Sequence, residues 1–441
     1  MTSTLHLNDK PGQYPDSYYA ATAQGVVERP SLSGAQEADV CIIGGGFTGL
    51  SSALHLAEGG RSVIVLDAHR MGWGASGRNG GQAGSGQRIE QDTLEEMVGL
   101  DVAREAFRIG IEAPRLVQEL IAKHDIPAQW QTGILEVNHK RRFDRGLEDY
   151  VKKLNDEYDY PHASWIPRDE VPKHLNASGY FGGMMDDNSG HLHPLNYALG
   201  LARAAEDAGA TLFERSEVTK VDTQGEINVV STANGQVRAK TLVYACNGYL
   251  GDLQPKVAQQ VLPINSFVVA TEPLGEELAR ELIPSKAAVF DSRFVVNYYR
   301  MSADNRLLFG GGETYGYKFA SNISDFVTKP LLKVFPQLKD VKLDYGWGGT
   351  LGITMTRMPD FQQLGPNVYS LSGYSGSGVA MATMAGKILR DTLDGDDRDF
   401  QTMAKIPTPQ FPAARLPFGR HIRTPMLAAA MKFYAFRDSL F

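Results

Sequence analysis

Glycines at 44, 46 and 49, followed by an acid at 67, are the residues whose types and spacing most directly imply chemistry. In Gly44-x-Gly46-x-x-Gly49 the first glycine permits a tight turn, the second lets a pyrophosphate approach the backbone, and the third lets a helix pack closely on a strand. Phe47 and Thr48 then fall in the first turn of that helix, where free amide groups and the helix dipole face a phosphate. Asp67, about 20 residues further on, can accept hydrogen bonds from both hydroxyls of a ribose. No basic residue follows it directly, which argues against a 2′-phosphate. A second run, Ala75, Ser76, Gly77, Arg78, Asn79, Gly80 and Gly81, offers small side chains and backbone donors suited to a cofactor that extends beyond its pyrophosphate. An ordinary glycine-rich loop has the same composition; what singles this one out is its place after the first motif.

These residues need elements to position them. Val40-Cys41-Ile42-Ile43 reads as a buried parallel strand, the helix after Gly46 runs to about Glu58, and Val63 to Leu66 is a second strand ending at Asp67. Asp92 to Lys123 has helical spacing and Gly133 to Val137 reads as a strand. LNYALGLARAAEDAGA is an amphipathic helix with Pro194 near its first turn, and strands follow at 211–214, around Val218, and at 237–246 before Asn247 and Gly248. From Pro263 to Gly312 the chain turns β-rich (INSFVVATE, FVVNYYR, RLLFGGGE), as expected of a mixed or antiparallel sheet separate from the nucleotide fold. A helix is expected near Pro330 to Leu338. A strand from Val368 leads into Gly373-Tyr374-Ser375-Gly376-Ser377-Gly378, which opens a helix to about Leu393.

At 441 residues and 42% hydrophobic, the chain can build two domains, and a net charge of −7 gives no reason to expect nucleic acid. Two cysteines, Cys41 and Cys246, read as small buried apolar residues, so a reducing cytoplasm fits better than a disulfide framework. No His or Cys cluster has metal-ligand spacing; His191 and His193 read as capping or packing residues. The first residues lack a basic start and apolar run, and no stretch of about 18 apolar residues occurs, so a soluble protein is expected. Residues 1–37 read as an arm that wraps the surface or meets another subunit. The tail from Arg415 to Phe441 is basic and amphipathic, open to either a membrane surface or packing on protein. Nothing in the composition fixes an oligomeric state.

With SYYAATA, DVCIIGGGFTGLSSALHLAEGG, LDAHRMGWGASGRNGGQ, SGHLHPLN, YYRMSADNRLLFGGG, FPQL, MTRMP and GYSGSG in order along nearly the whole chain, the sequence resembles the D-amino-acid oxidase, glycine oxidase and sarcosine oxidase family of FAD enzymes, in particular its γ-glutamylputrescine oxidoreductase branch. The resemblance implies an α/β, two-domain protein: a Rossmann-like FAD-binding domain with a parallel sheet (38–130, 186–255 and 344–396), a β-rich substrate domain with helices (131–185 and 256–343), and a tail at 397–441. It implies that the 74–81 loop runs beside the ribityl chain and flavin, that the backbone around Val218 meets the adenine, and that Asn247 and Gly248 close again on the cofactor. The turn at Gly376, Ser377 and Gly378 then aims donors and a helix N-terminus at the flavin pyrimidine ring. Putrescine-type members usually read GYSGHG, so any role of that histidine is not carried over to Ser377. Neither cysteine lies where sarcosine oxidases attach FAD, so non-covalent FAD is expected.

A single nucleotide fingerprint leaves no place for NAD(P)H, so electrons enter from a small-molecule amine and leave to molecular oxygen or an electron carrier. The expected reaction is hydride transfer to flavin N5 from the carbon bearing a primary amine of a polyamine derivative, giving aldehyde, ammonia and hydrogen peroxide. The alternative is a dehydrogenase or oxidase of N-methylated, cyclic or D-amino acids that passes electrons to a carrier; a flavin-bound interaction protein is a third reading. Candidates for the substrate wall are Tyr298, Tyr299, Arg300, Trp347 and Tyr374, with Arg300 suited to a distal carboxylate. Strand alternation puts Tyr298 and Arg300 on one face and Tyr299 on the other. Core aromatics and a surface arginine are the alternative for each.

Overall fold

The computed structural model describes residues 4–412 apart from 315. Gly34–Ile43 lies near the middle of an eight-stranded sheet, paired in parallel with Gly235–Tyr244 on one side and Val63–Leu66 on the other. The parallel core extends through Thr211–Phe213 at one end and Val368–Ser372 at the other. Its strands are apolar on both faces because both faces are covered. Val40 and Ile42 face a core shared with Leu50 and Leu54 of the helix Phe47–Glu58, Tyr197 and Leu201 of Pro194–Asp207, and Met381 and Ile388 of Gly378–Leu393. Cys41 and Ile43 face the opposite way, onto Val230, Val237 and Leu250. Helix Phe47–Glu58 is buried along nearly its whole length; a Cβ on Gly386 would stand 2.4 Å from the Ser52 nitrogen, so the Gly378–Leu393 helix touches it backbone to backbone.

A nine-stranded, largely antiparallel sheet forms the second layer, in the order Leu343–Ile353, Leu262–Thr271, Leu307–Thr314, Tyr298–Met301, Ala288–Asp291, Gln131–Val137, Gly183–His191 and Gln82–Ala83, with Ala163–Ile166 paired to Gly183–His191. The β-rich character of 263–312 is thus realised. Two stretches grouped by sequence with the nucleotide domain pair here: 344–353, within Leu343–Ile353, runs antiparallel to Leu262–Thr271, and 186–191, the end of Gly183–His191, pairs with Gln131–Val137. Strand pairing is a long-range property, and the local pattern of neither segment names its partner.

Local punctuation accounts for the other differences. The helical stretch expected from Asp92 to Lys123 breaks at Gly99, whose φ of 82° ends Gln91–Val98 and starts Leu100–Lys123. The helix expected from Pro330 begins at Ile323, where Asn322 Oδ1 accepts the Asp325 amide, and it tolerates Pro330 inside it. Of FVVNYYR only Tyr298 onward is strand.

The N-terminal arm lies on the molecule. Tyr18 and Tyr19 are buried, Arg29 pairs with Glu206 and Glu214, and Asp9 pairs with Arg78. In the segment read as a tail, Phe400 and Met403 of the helix Arg398–Ala404 join the first core; the basic segment from Arg415 to Phe441 lies outside the described residues. Among the described residues no helix is long and apolar enough to cross a membrane.

Candidate active site

The glycine turn is built as its spacing requires. Gly44 has φ of 112°, and a Cβ there would meet the Ala245 carbonyl oxygen at 2.6 Å; one on Gly49 would stand 1.9 Å from the Gly44 carbonyl oxygen. The carboxylate of Asp67 accepts the Gly45 and His69 amides, each at 2.7 Å, so the acid is tied to the turn itself. Burial outweighs these two donors and lifts its pKa to about 6. The first helix amide, on Phe47, donates to Ser76 Oγ at 2.9 Å, which locks the second loop to the first.

That second loop is held from within and from behind. Asn79 donates to the Ala75 and Ser76 carbonyls and accepts the Gly81 amide. Arg78 stacks on Trp73, donates to the Trp73 carbonyl and pairs with Asp9, while its Nη2 is buried without a partner among the described residues. A Cβ on Gly80 would strike the Tyr298 ring at 2.8 Å, so the loop packs directly on the second sheet.

One cavity of about 1580 Å³ runs between the two sheets. Of the residues singled out by sequence, Gly44, Gly46, Phe47, Thr48, Asp67, Ala75, Ser76, Arg78, Asn79, Gly80, Val218, Asn247, Gly248, Tyr298, Tyr374, Gly376, Ser377 and Gly378 line it. Gly49, Gly77 and Gly81 stand one layer behind, as packing positions. Asn247 Oδ1 accepts the Gly373 amide, which fastens the Gly376 turn beside Asn247 and Gly248. The Tyr374 hydroxyl is 2.7 Å from Thr48 Oγ1, joining that turn to the first helix.

Arg300 and Trp347 do not line the cavity. Alternation does put Tyr298 and Arg300 toward the loop while Tyr299 stacks on Phe309 in the other core. The Arg300 guanidinium, however, passes behind the loop and is spent on the carbonyls of Gly80, Leu192 and Met301 and on the Tyr19 hydroxyl. Trp347 donates to the Arg78 carbonyl and packs edge-on against Tyr19. Both brace the loop rather than face a substrate. His191 and His193 are buried and neutral, each pushed down to about 3 by burial; His193 caps the Pro194–Asp207 helix by accepting the Asn196 amide.

The sequence reading missed several charged residues of the cavity, among them Arg88, Glu90, Glu136, Glu313 and Arg357, beside the aromatic rings of Phe107, Tyr150, Tyr160, Phe290 and Phe294. Arg88 and Glu90 stand in an ordinary polar stretch after the glycines, and nothing local marks them off from a solvated loop. A dinucleotide fits the other end: a tied ribose acceptor, a glycine turn at a helix N-terminus, and an unused guanidinium donor on Arg78.

Residues 39–392 match the family described as DAO, FAD dependent oxidoreductase. A probable oxidoreductase, OrdL, of Rhizobium meliloti is 39% identical over 96% of this chain and 97% of its own. Gamma-glutamylputrescine oxidoreductase of Escherichia coli is 39% identical over 97% of this chain and 99% of its own. Among solved structures, glycine oxidase from Geobacillus kaustophilus superposes with a TM-score of 0.69 at 20% identity, over 81% of this chain and 95% of that one, a likeness of fold.

Proposed function

The chain belongs to the DAO family of FAD-dependent oxidoreductases, with FAD as its cofactor, and from that premise we propose that it oxidises a primary amine of a polyamine derivative, of the γ-glutamylputrescine kind. Amine, oxygen and water become aldehyde, ammonia and hydrogen peroxide. FAD supplies the two-electron acceptor for the hydrogen leaving the amine carbon. The protein binds, orients and excludes water.

The observation that carries this reading is that the cavity continues from the glycine turns into the second sheet, where aromatic rings and charges of both signs line it. Tyr298 stands against Gly80 with its hydroxyl 3.0 Å from Ser266 Oγ, and Tyr374 stands at the Gly376 turn. Both rings would offer apolar contact to a bound cofactor and to a substrate's alkyl chain, and the neutral amine is the form that gives up hydride. Cys41 and Cys246, both unpaired, support a reducing cytoplasmic setting.

A second reading, oxidation of an N-methylated, cyclic or D-amino acid with electrons passed to a carrier, is favoured by Arg88 and Arg357, since two arginines in the cavity suit a carboxylate. Anaerobic stopped-flow bleaching of the flavin by γ-glutamylputrescine, putrescine, spermidine, sarcosine and D-amino acids, followed by air, separates the two. Rapid bleaching by γ-glutamylated or free polyamines with fast reoxidation and peroxide is the expected result. Bleaching by amino acids alone, or slow reoxidation in air, would overturn it in favour of the second.

A further inference from the structure

Arg88 lines the cavity near the Gly376 turn; a Cβ on Gly376 would stand 3.7 Å from its Nε. It is open to the cavity but surrounded by protein on its other sides, enough that burial holds its pKa below the usual arginine value. Its nearest charges are Arg357, Glu136 and Glu313, yet among the described residues its guanidinium makes no hydrogen bond and no ion pair. Glu136, from the strand Gln131–Val137, and Glu90, at the start of the helix Gln91–Val98, also line the cavity, and among the described residues their carboxyl groups bind no partner. Burial, and then the charge of Glu90, push Glu136 up to about 7, while burial, and then the charge of Asp92, raise Glu90. Tyr150 stands beside both acids.

Opposite charges lining one cavity would pair if the backbone brought them together, because a charge left without a partner against protein is costly. Here the fold leaves the guanidinium of Arg88 and the carboxyl groups of Glu90 and Glu136 unpaired with one another. A ligand bearing only an ammonium leaves Arg88 unsatisfied, and one bearing only a carboxylate meets the two acids. We infer that Arg88, Glu90 and Glu136 form a subsite for a zwitterionic α-amino-acid head of the substrate, the carboxylate on Arg88 and the ammonium between the two glutamates. This rests on the amine-oxidase reading for what the rest of the substrate is, and on the cavity alone for the head.

The test uses the holoenzyme and a ligand that lacks the distal amine, γ-glutamyl-n-butylamide, with binding read by perturbation of the flavin spectrum and by thermal shift. Two truncated ligands accompany it: N-butylglutaramic acid, which lacks the α-ammonium, and N-butyl-4-aminobutyramide, which lacks the α-carboxylate. Wild-type protein is expected to bind the full head roughly 10- to 100-fold more tightly than either, the scale of a charge-assisted contact. Arg88→Gln should weaken the two ligands that carry the carboxylate and leave N-butyl-4-aminobutyramide unchanged; Glu136→Gln should weaken the two that carry the ammonium and spare N-butylglutaramic acid. Equal binding of all three ligands by the wild type, or an equal loss for all three in the variants, would overturn the subsite. The wild-type comparison stands even if a variant does not fold. Head-dependent binding without bleaching by any γ-glutamyl amine would sink the oxidation reading and leave the subsite. Bleaching by polyamines with no preference for the head would do the reverse.

Discussion

Asp67 shows what one side chain decides. Its carboxyl is lifted from an ordinary value of 3.8 to about 6 in the ligand-free fold. The folded protein therefore holds this proton more tightly than the unfolded chain, and Asp67's contribution makes the apoprotein less stable as pH rises from about 4 to about 6. Bound FAD would reverse the sign: ribose hydroxyls donating to the carboxylate would favour its ionised form, so binding would release the proton. FAD affinity is expected to climb up to tenfold per pH unit below about 6 and to level off above it. Fluorescence titrations of apoprotein at several pH values check this, and a flat profile refutes it. Gly49→Ala is a steric test of the same turn. Its Cβ would lie 1.9 Å from a backbone oxygen, which cannot rotate away, so purified protein should carry little or no flavin by absorbance ratio. The places of Asp67 and Gly49 at the turn were legible because local spacing fixes them. Arg300 and Arg88 were not: each is an arginine in a locally unremarkable setting, and only the approach of the second sheet to the 74–81 loop occupies one and leaves the other free.

At the scale of elements, the arm is the part whose role the sequence withheld. His69 accepts the Gly12 amide at Nδ1 and donates from Nε2 to the Leu5 carbonyl, and it stacks on Trp73, which in turn lies under Arg78. Asn8 bonds to Tyr317 and Phe319 of the second layer, and Leu5 and Leu7 line the cavity. Residues 5–14 thus strap both layers together over the end of the cavity that Asp67 and Val218 share. Asp9→Asn leaves the Arg78 guanidinium, 1% exposed, without its counter-charge; a loss of roughly 1–3 kcal/mol of stability is expected, with faster FAD release. Denaturant midpoints and the rate of flavin fluorescence recovery on dilution measure both, and unchanged values would remove the arm from the cofactor site. The arm's composition hid this because its contacts are to groups more than 50 residues away in the chain.

For the whole molecule, the cavity wall draws on the first glycine turn, the 74–81 loop, the segment at Val218, the Asn247 turn and the Gly376 turn, which are scattered through most of the chain. Cofactor binding should therefore stabilise the fold as one unit: at free FAD about 100 times its Kd, stabilisation of about 2.7 kcal/mol is expected, seen as a higher single transition by calorimetry. Two transitions, only one of them FAD-dependent, would show that the layers unfold separately. The sequence by itself determined the parallel strands, the turn, the acid and the helices that carry them, since each depends on period, backbone freedom and spacing along a short stretch. Alternation alone even placed Tyr299 apart from Tyr298 and Arg300. Which strands joined the second sheet, which arginine faces the cavity, and that Glu90 and Glu136 meet there were decided only by tertiary structure, because those facts depend on distances between segments far apart in the chain.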